Sequence, residues 1–116
     1  VKYLELNEQI IAHLIQEKPY LDMDFTLTKL ADSLDTSLYH LEKALKQHFE
    51  GSIYEYINQL RIEYFISQID RINAGELNII TLAYESGFKS KSSFRNNFRQ
   101  IQGISPTTYI LKYIKI

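Results

Sequence analysis

Ser92, Arg95, Asn96 and Arg99 recur at i, i+3, i+4 and i+7, a spacing that places their side chains on one face of an α-helix. Lys89 and Lys91 stand just before them, and Phe94, Phe98 and Ile101 repeat with the helical period on another face. An apolar stripe turned to a core and backed by Ser, Asn and Arg is what a helix lying in the major groove of DNA needs. Arg and Lys neutralise phosphates, while Ser and Asn hydrogen-bond base edges. The surrounding stretch, Thr81 to Tyr109, reads as a short helix, a turn containing Gly87, this basic helix, and a capped helix start at Ser105-Pro106. Gly87 is expected to be a positive-φ turn residue with a structural role.

The overall charge gives no hint of a polyanionic ligand: the chain carries a formal net charge of −1 over 116 residues. Its distribution does. Residues 1–52 hold 5 basic and 9 acidic side chains, a net of −4, and residues 53–116 hold 8 and 5, a net of +3. From Gly87 onward there are six basic residues (Lys89, Lys91, Arg95, Arg99, Lys112, Lys115) and no acidic one. The local field, more than the total, steers a polyanion.

Other chemistries find no residues to carry them. With no cysteine there is no disulfide, thiolate zinc site or cysteine nucleophile, in agreement with a reducing compartment. His13, His40 and His48 lack metal-ligand spacing. No HExxH motif, nucleophile–base pairing or phosphate-cradling glycine loop is present, and the four glycines stand singly. Neither an enzyme nor a metal or cofactor site is expected. No apolar run approaches the length of a membrane span, and no basic leader followed by an apolar stretch marks a secretion signal. Hydrophobic residues make up 45%, which excludes disorder as the default and allows one domain, or two small lobes sharing a core. Because it opens on Val1 and ends in ILKYIKI, the chain reads as a piece of a longer protein.

The elements that must position the basic helix are helical almost throughout, so the expected class is all-α with about seven helices. The first spans about Leu4 to Gln16, followed by Pro19; Thr26 to Leu34 puts Leu27, Leu30, Ala31 and Leu34 on one face. Asp22 and Asp24 stand before this second helix as carboxylates favoured near an N-terminus. Asp35-Thr36 breaks the pattern, and Ser37 caps a helix to about Phe49. Ser52 and Glu55 have capping-box spacing and open a long helix to about Ile69. Asn73 to Glu76 is a loop, a short helix runs from about Ile79 to Ser86, and the basic helix spans Ser90 to Ile101. Gly103 ends it, and Ser105 caps a last helix with Pro106 at its first position.

These elements repeat. Leu30-Ala31 matches Leu82-Ala83 at an offset of 52, Leu41 and Leu45 match Phe94 and Phe98 at 53, and Gly51 matches Gly103 at 52. Each copy is a helix, a short turn and a second helix, the layout of a helix-turn-helix. The expected organisation is an N-terminal helix plus a first lobe over residues 1–52, a linker helix over 53–72, and a second lobe over 73–116. A linker roughly 25 Å long would hold two recognition helices at fixed spacing, suited to successive major-groove segments about 34 Å apart.

The residues Ala83-Tyr84-Glu85-Ser86-Gly87-Phe88, Ser92-Ser93-Phe94, Phe98 and Gly103-Ile104-Ser105-Pro106 with Tyr109 resemble the signature of AraC/XylS-type transcription regulators. Leu30-Ala31, Ser37, Leu41, Gly51, Tyr56-Ile57 and Arg61-Ile62 are similar to that family's first motif and linker helix, so the resemblance covers about residues 24–110. It implies the C-terminal DNA-binding domain of a bacterial, cytoplasmic, nucleoid-associated regulator, activating more often than repressing. Its sensor or dimerisation domain would lie elsewhere in the parent chain. The implied partners are double-stranded DNA and RNA polymerase. Carried over by position, Tyr39, Glu42 and Lys43 of the first recognition helix, and Ser92, Ser93 and Asn96 of the second, would face bases. Lys46, Lys89, Lys91, Arg95 and Arg99 would lie nearer the DNA backbone.

Two residues depart from the family pattern. Phe65 stands where a small residue is usual, and Glu42 joins Asp32, Asp35 and Glu50 on an acidic first motif, so the second motif is expected to hold DNA more tightly. Arg61 is expected in an intradomain ion pair rather than on phosphate. The competing reading is a helical protein-interaction module with a basic docking face.

Overall fold

The computed structural model describes residues 3–113, and among them no strand occurs. Among the described residues eight α-helices follow in order: α1 (Leu4–Glu17), α2 (Leu27–Ser33), α3 (Leu38–His48), α4 (Ile53–Ser67), α5 (Ile69–Asn73), α6 (Ile79–Glu85), α7 (Lys91–Gln102) and α8 (Pro106–Tyr113). A single 3₁₀ turn, Pro19–Leu21, lies between α1 and α2.

Short polar side chains set where most helices begin. Thr26, Ser37, Ser52, Asn78, Ser90 and Ser105 each accept a backbone N–H of the first turn, at 2.8–3.4 Å. Each such cap satisfies a donor that the helix itself cannot, with about 0.5–2 kcal/mol lost when it becomes alanine.

Two apolar clusters form the interior. The first gathers Ile10 and Leu14 of α1, Tyr20 of the 3₁₀ turn, Leu30 of α2, Leu41 and Ala44 of α3 and Ile57 of α4. The second gathers Ile62 and Phe65 of α4 with Ile69, Leu82, Phe88, Phe94, Phe98 and Ile110. Helix α4 therefore serves both, its first half facing one cluster and its second half the other. The molecule is elongated, 52 × 24 × 22 Å.

Phe65 gives the second lobe an aromatic centre. It is wholly buried, with ring centroids 4.7 Å from Phe94 and 5.8 Å from Phe98, and Phe88 and Tyr109 extend the cluster. The departure from the family pattern is thus filled by edge and tilted ring contacts, each adding about 0.5–1.5 kcal/mol beyond area burial.

The structure corrects the linker. Sequence periodicity carries it to about Ile69, but α4 stops at Ser67. Gln68, at φ −109° and ψ 5°, breaks the ladder, and α5 follows as an eighth helix. Ser67 Oγ donates to the Tyr64 carbonyl at 2.6 Å, a local bond that competes with the helix ladder. Ile69 is still buried after the break. The apolar pattern runs on unbroken and hides the kink.

Candidate nucleic-acid interface

Helix α7 is held by its apolar face. Phe94 and Phe98 are fully buried against Phe65, which turns Ser92, Arg95, Asn96 and Arg99 outward into solvent. Ser90 caps the helix start through Ser93 N–H at 3.1 Å. At the other end Gly103, at φ +82°, donates its N–H to the Arg99 carbonyl at 2.8 Å. Ile101, expected to continue the buried stripe, is instead 37% exposed. It sits on the last turn of the helix.

The turn before α7 is tightly made. Ser86 is fully buried, and its hydroxyl donates to the Leu82 carbonyl at 2.7 Å, a role the sequence pattern does not single out. Gly87 has φ +102°, and a Cβ there would collide with the Tyr20 carbonyl oxygen and stand 2.6 Å from Arg61 Nε. In the first lobe Asp35, 52 residues earlier, also lies at positive φ, +53°. Asp tolerates that left-handed geometry better than most residues.

The basic side chains differ in freedom. Among the described residues no hydrogen bond or ion pair engages the side chains of Ser92, Arg95, Asn96 or Arg99, which leaves their side-chain polar atoms available. Ser93 is partly engaged: Asn97 Nδ2 donates to its carbonyl at 2.8 Å and lies 3.4 Å from its hydroxyl. Lys89 pairs with Asp24 at 3.2 Å, both side chains well exposed. Asp24 therefore reaches across to the second lobe rather than serving the start of α2. The Asp22 carboxylate accepts from Asp24 N–H and lies 3.8 Å from Lys29.

Helix α3 presents the equivalent face of the first lobe. Leu41, Ala44 and Leu45 are buried, while Tyr39 (62% exposed), Glu42, Lys43 and Lys46 point out. Lys43 Nζ lies 5.4 Å from the Tyr39 ring centroid, and the His40 ring meets the same ring edge-on at 5.3 Å. At an offset of 53, Tyr39, Glu42, Lys43 and Lys46 match Ser92, Arg95, Asn96 and Arg99. A groove flanks each helix at matching places. One of about 640 Å³ runs beside α7 under Arg95 and Arg99, and one of about 360 Å³ beside α3 under Glu42 and Lys46.

Arg61 of α4 is turned inward. Its Nε donates to the Tyr20 carbonyl at 2.7 Å and its Nη2 to the Asp22 carbonyl at 3.4 Å, and the guanidinium carbon lies 5.9 Å from the Phe88 ring centroid. Burial pushes its pKa down, and the nearby Asp22 charge opposes that shift. The expected ion pair is thus replaced by hydrogen bonds to main-chain carbonyls. Arg61 is a structural cation here.

Two helix-turn-helix units, each with its second helix exposed along one polar face, define the class of DNA-binding double helix-turn-helix domains. Residues 30–112 match the sequence family described as a helix-turn-helix domain. The chain belongs to this AraC-type helix-turn-helix family of DNA-binding transcription regulators. It is similar to the TCP pilus virulence regulatory protein of Vibrio cholerae serotype O1, in both the Classical Ogawa 395 and El Tor Inaba N16961 strains. Each is 39% identical over 56 residues, which is 48% of this chain and 19% of the relative. The chain thus spans about a fifth of the length of these curated relatives.

Two solved structures share the fold. A protein of unknown function from Listeria innocua aligns with a TM-score of 0.77 at 15% identity, covering 92% of this chain and 96% of that one. The C-terminal domain of the two-component response regulator yesN from Fusobacterium nucleatum aligns with a TM-score of 0.69 at 29% identity, covering 91% and 95%. No helix among the described residues is long and apolar enough to cross a membrane.

Proposed function

We propose that the two lobes act as one unit that binds duplex DNA sequence-specifically, with α3 and α7 entering successive major-groove segments and α7 making the tighter contact. The observation that carries this is the unengaged Ser92–Arg95–Asn96–Arg99 face of α7, set over buried Phe94 and Phe98 and repeated in position on α3. Ser92 and Asn96 are the base readers on α7, with Ser93 secondary because Asn97 occupies it. Lys91, Arg95 and Arg99 approach phosphates, and Lys89 joins them by leaving Asp24. On α3, Tyr39, Glu42 and Lys43 read bases and Lys46 meets the backbone; Glu42 is suited to cytosine N4. In the parent protein this unit would activate transcription through RNA polymerase under control of a sensor or dimerisation domain. The regulatory naming of the Vibrio relatives supports that context.

The test is selection of bound duplexes from a random pool at near-physiological salt. The expected result is a site with two short blocks about one helical turn apart. Five phosphate contacts (Lys46, Lys89, Lys91, Arg95, Arg99) give an expected log K against log salt slope of about −4.5, at roughly −0.9 per contact. A single enriched block would restrict readout to α7. No motif together with a shallow slope would favour a protein-docking face instead.

A further inference from the structure

The division of α4 between two cores raises the question of what fixes the lobes relative to one another. Ile57 and Leu60 pack in the first cluster, and Ile62 and Phe65 in the second; Arg61 lies between them. A helix sets the axial separation of the lobes. Their mutual orientation also depends on contacts away from its axis.

Those contacts gather around one side chain. Arg61 reaches out of α4 to the Tyr20 and Asp22 carbonyls of the first lobe, and its guanidinium lies against Phe88 of the second. Beside the same Arg61 side chain, the Gly87 main chain comes so close to Tyr20 that no Cβ fits between them. From Gly87 the chain runs through Phe88 and Lys89 straight to Ser90, the cap of α7. The α7 start is therefore tied through Arg61 to the 3₁₀ turn of the other lobe. At the rim, the Lys89–Asp24 pair is exposed and weak by comparison, and Lys89 is itself wanted by phosphate.

We propose that Arg61 is a positioning residue that locks the orientation of α7 relative to α3, and that it thereby selects DNA sites by the spacing between their two blocks. This rests on the two-helix DNA-binding reading. The guanidinium suits the task because its rigid fork aims several donors at once while its face stacks on a ring, which an ammonium does not reproduce.

Two measurements on the 116-residue chain test it. The first compares Arg61→Met and Arg61→Lys with the wild type on duplexes carrying the selected blocks at spacings changed in single-base-pair steps. The wild type should lose about tenfold or more in affinity at a wrong spacing, comparable to a mismatched base pair. Arg61→Met should bind all spacings within a few-fold of one another yet keep its affinity for the α7 block alone, and Arg61→Lys should fall between. The second measurement needs no DNA. The chain has no cysteine, so Gln47→Cys on α3 and Gln100→Cys on α7 give two unique, exposed dye sites. The inter-dye distance distribution should be narrow in the wild type and broader in Arg61→Lys, a milder change that keeps a donor should Arg61→Met fail to fold. A wild-type spacing preference or an unchanged distance distribution in folded Arg61 variants would overturn the proposal. So would equal loss on every site, the α7 block included. If the wild type selects no two-block site, the two-helix DNA reading fails, and the dye distances still decide whether Arg61 sets the lobe orientation.

Discussion

Arg95 and Asn96 are neighbours on α7 with the same freedom from internal contacts, but their chemistry separates their roles. A guanidinium near the backbone gains affinity from any duplex, whereas an amide earns discrimination only against the base whose edge it matches. Arg95→Ala should weaken binding to all sequences alike and make the salt slope shallower by about 1. Asn96→Ala should flatten preference at one base position, with about 1–3 kcal/mol of discrimination at stake. Quantitative binding to a single-substitution library of the selected site reads both effects, and an unaltered preference in Asn96→Ala would remove its assigned role. At this scale the sequence disclosed that Ser92, Arg95, Asn96 and Arg99 face out, because burial of Phe94 and Phe98 fixes the helix rotation, but it placed Ile101 wrongly on the buried face. It could not disclose which exposed polar groups are already engaged. The Asn97–Ser93 bond follows from side-chain torsions, and the Lys89–Asp24 and Arg61–Tyr20 contacts join residues far apart in the chain.

Among the elements, the turns make the sharpest test. Gly87 and Gly103 both lie at positive φ, +102° and +82°, but only at Gly87 does a neighbouring backbone occupy the space of a side chain. Gly103→Ala should cost about 1–2 kcal/mol, the strain of a left-handed alanine. Gly87→Ala adds the collision with the Tyr20 carbonyl and Arg61, for an expected loss about 1–3 kcal/mol larger still. Denaturant midpoints of the two variants check this, and equal losses would mean that the lobes part easily at that contact. The same comparison shows what sequence reveals about elements. Caps such as Ser37, Ser90 and Ser105 announce helix starts because the orphan N–H groups need a nearby oxygen, and Gly103 announces an end. The break at Gln68 gave no such signal, and Pro19 announced the end of α1 without announcing the 3₁₀ turn after the left-handed Lys18. Gln and Lys carry no strong preference for breaking a helix, and the apolar spacing continues past Gln68.

The dimensions of the whole molecule bear on the shape of its DNA. Helix α4 has 15 residues, so it is about 22 Å long at 1.5 Å per residue. Successive major-groove segments on one face of straight DNA are about 34 Å apart. Part of that gap is made up by the lobes, which extend the molecule to 52 Å along its length. The rest is not free to adjust, because α4, Arg61 and the Gly87 contact join the lobes into one body. Two rigidly spaced helices matched poorly to straight DNA leave the duplex as the softer partner. Bending a site of this size by 40–90° costs about 1–6 kcal/mol by smooth elastic estimates, a sum that the second helix's contacts must exceed for α3 to insert at all. We therefore expect bent DNA whenever both blocks are protected, and tighter binding when a flexible TA or CA step lies between them. Fluorescence transfer between the ends of a short duplex measures the bend, and footprinting on the same duplex reports the blocks. Straight DNA with both blocks protected would show that the lobes reorient after all. Straight DNA with only the α7 block protected would show that the acidic first lobe, with Glu42 at its face, does not gain enough to deform the duplex.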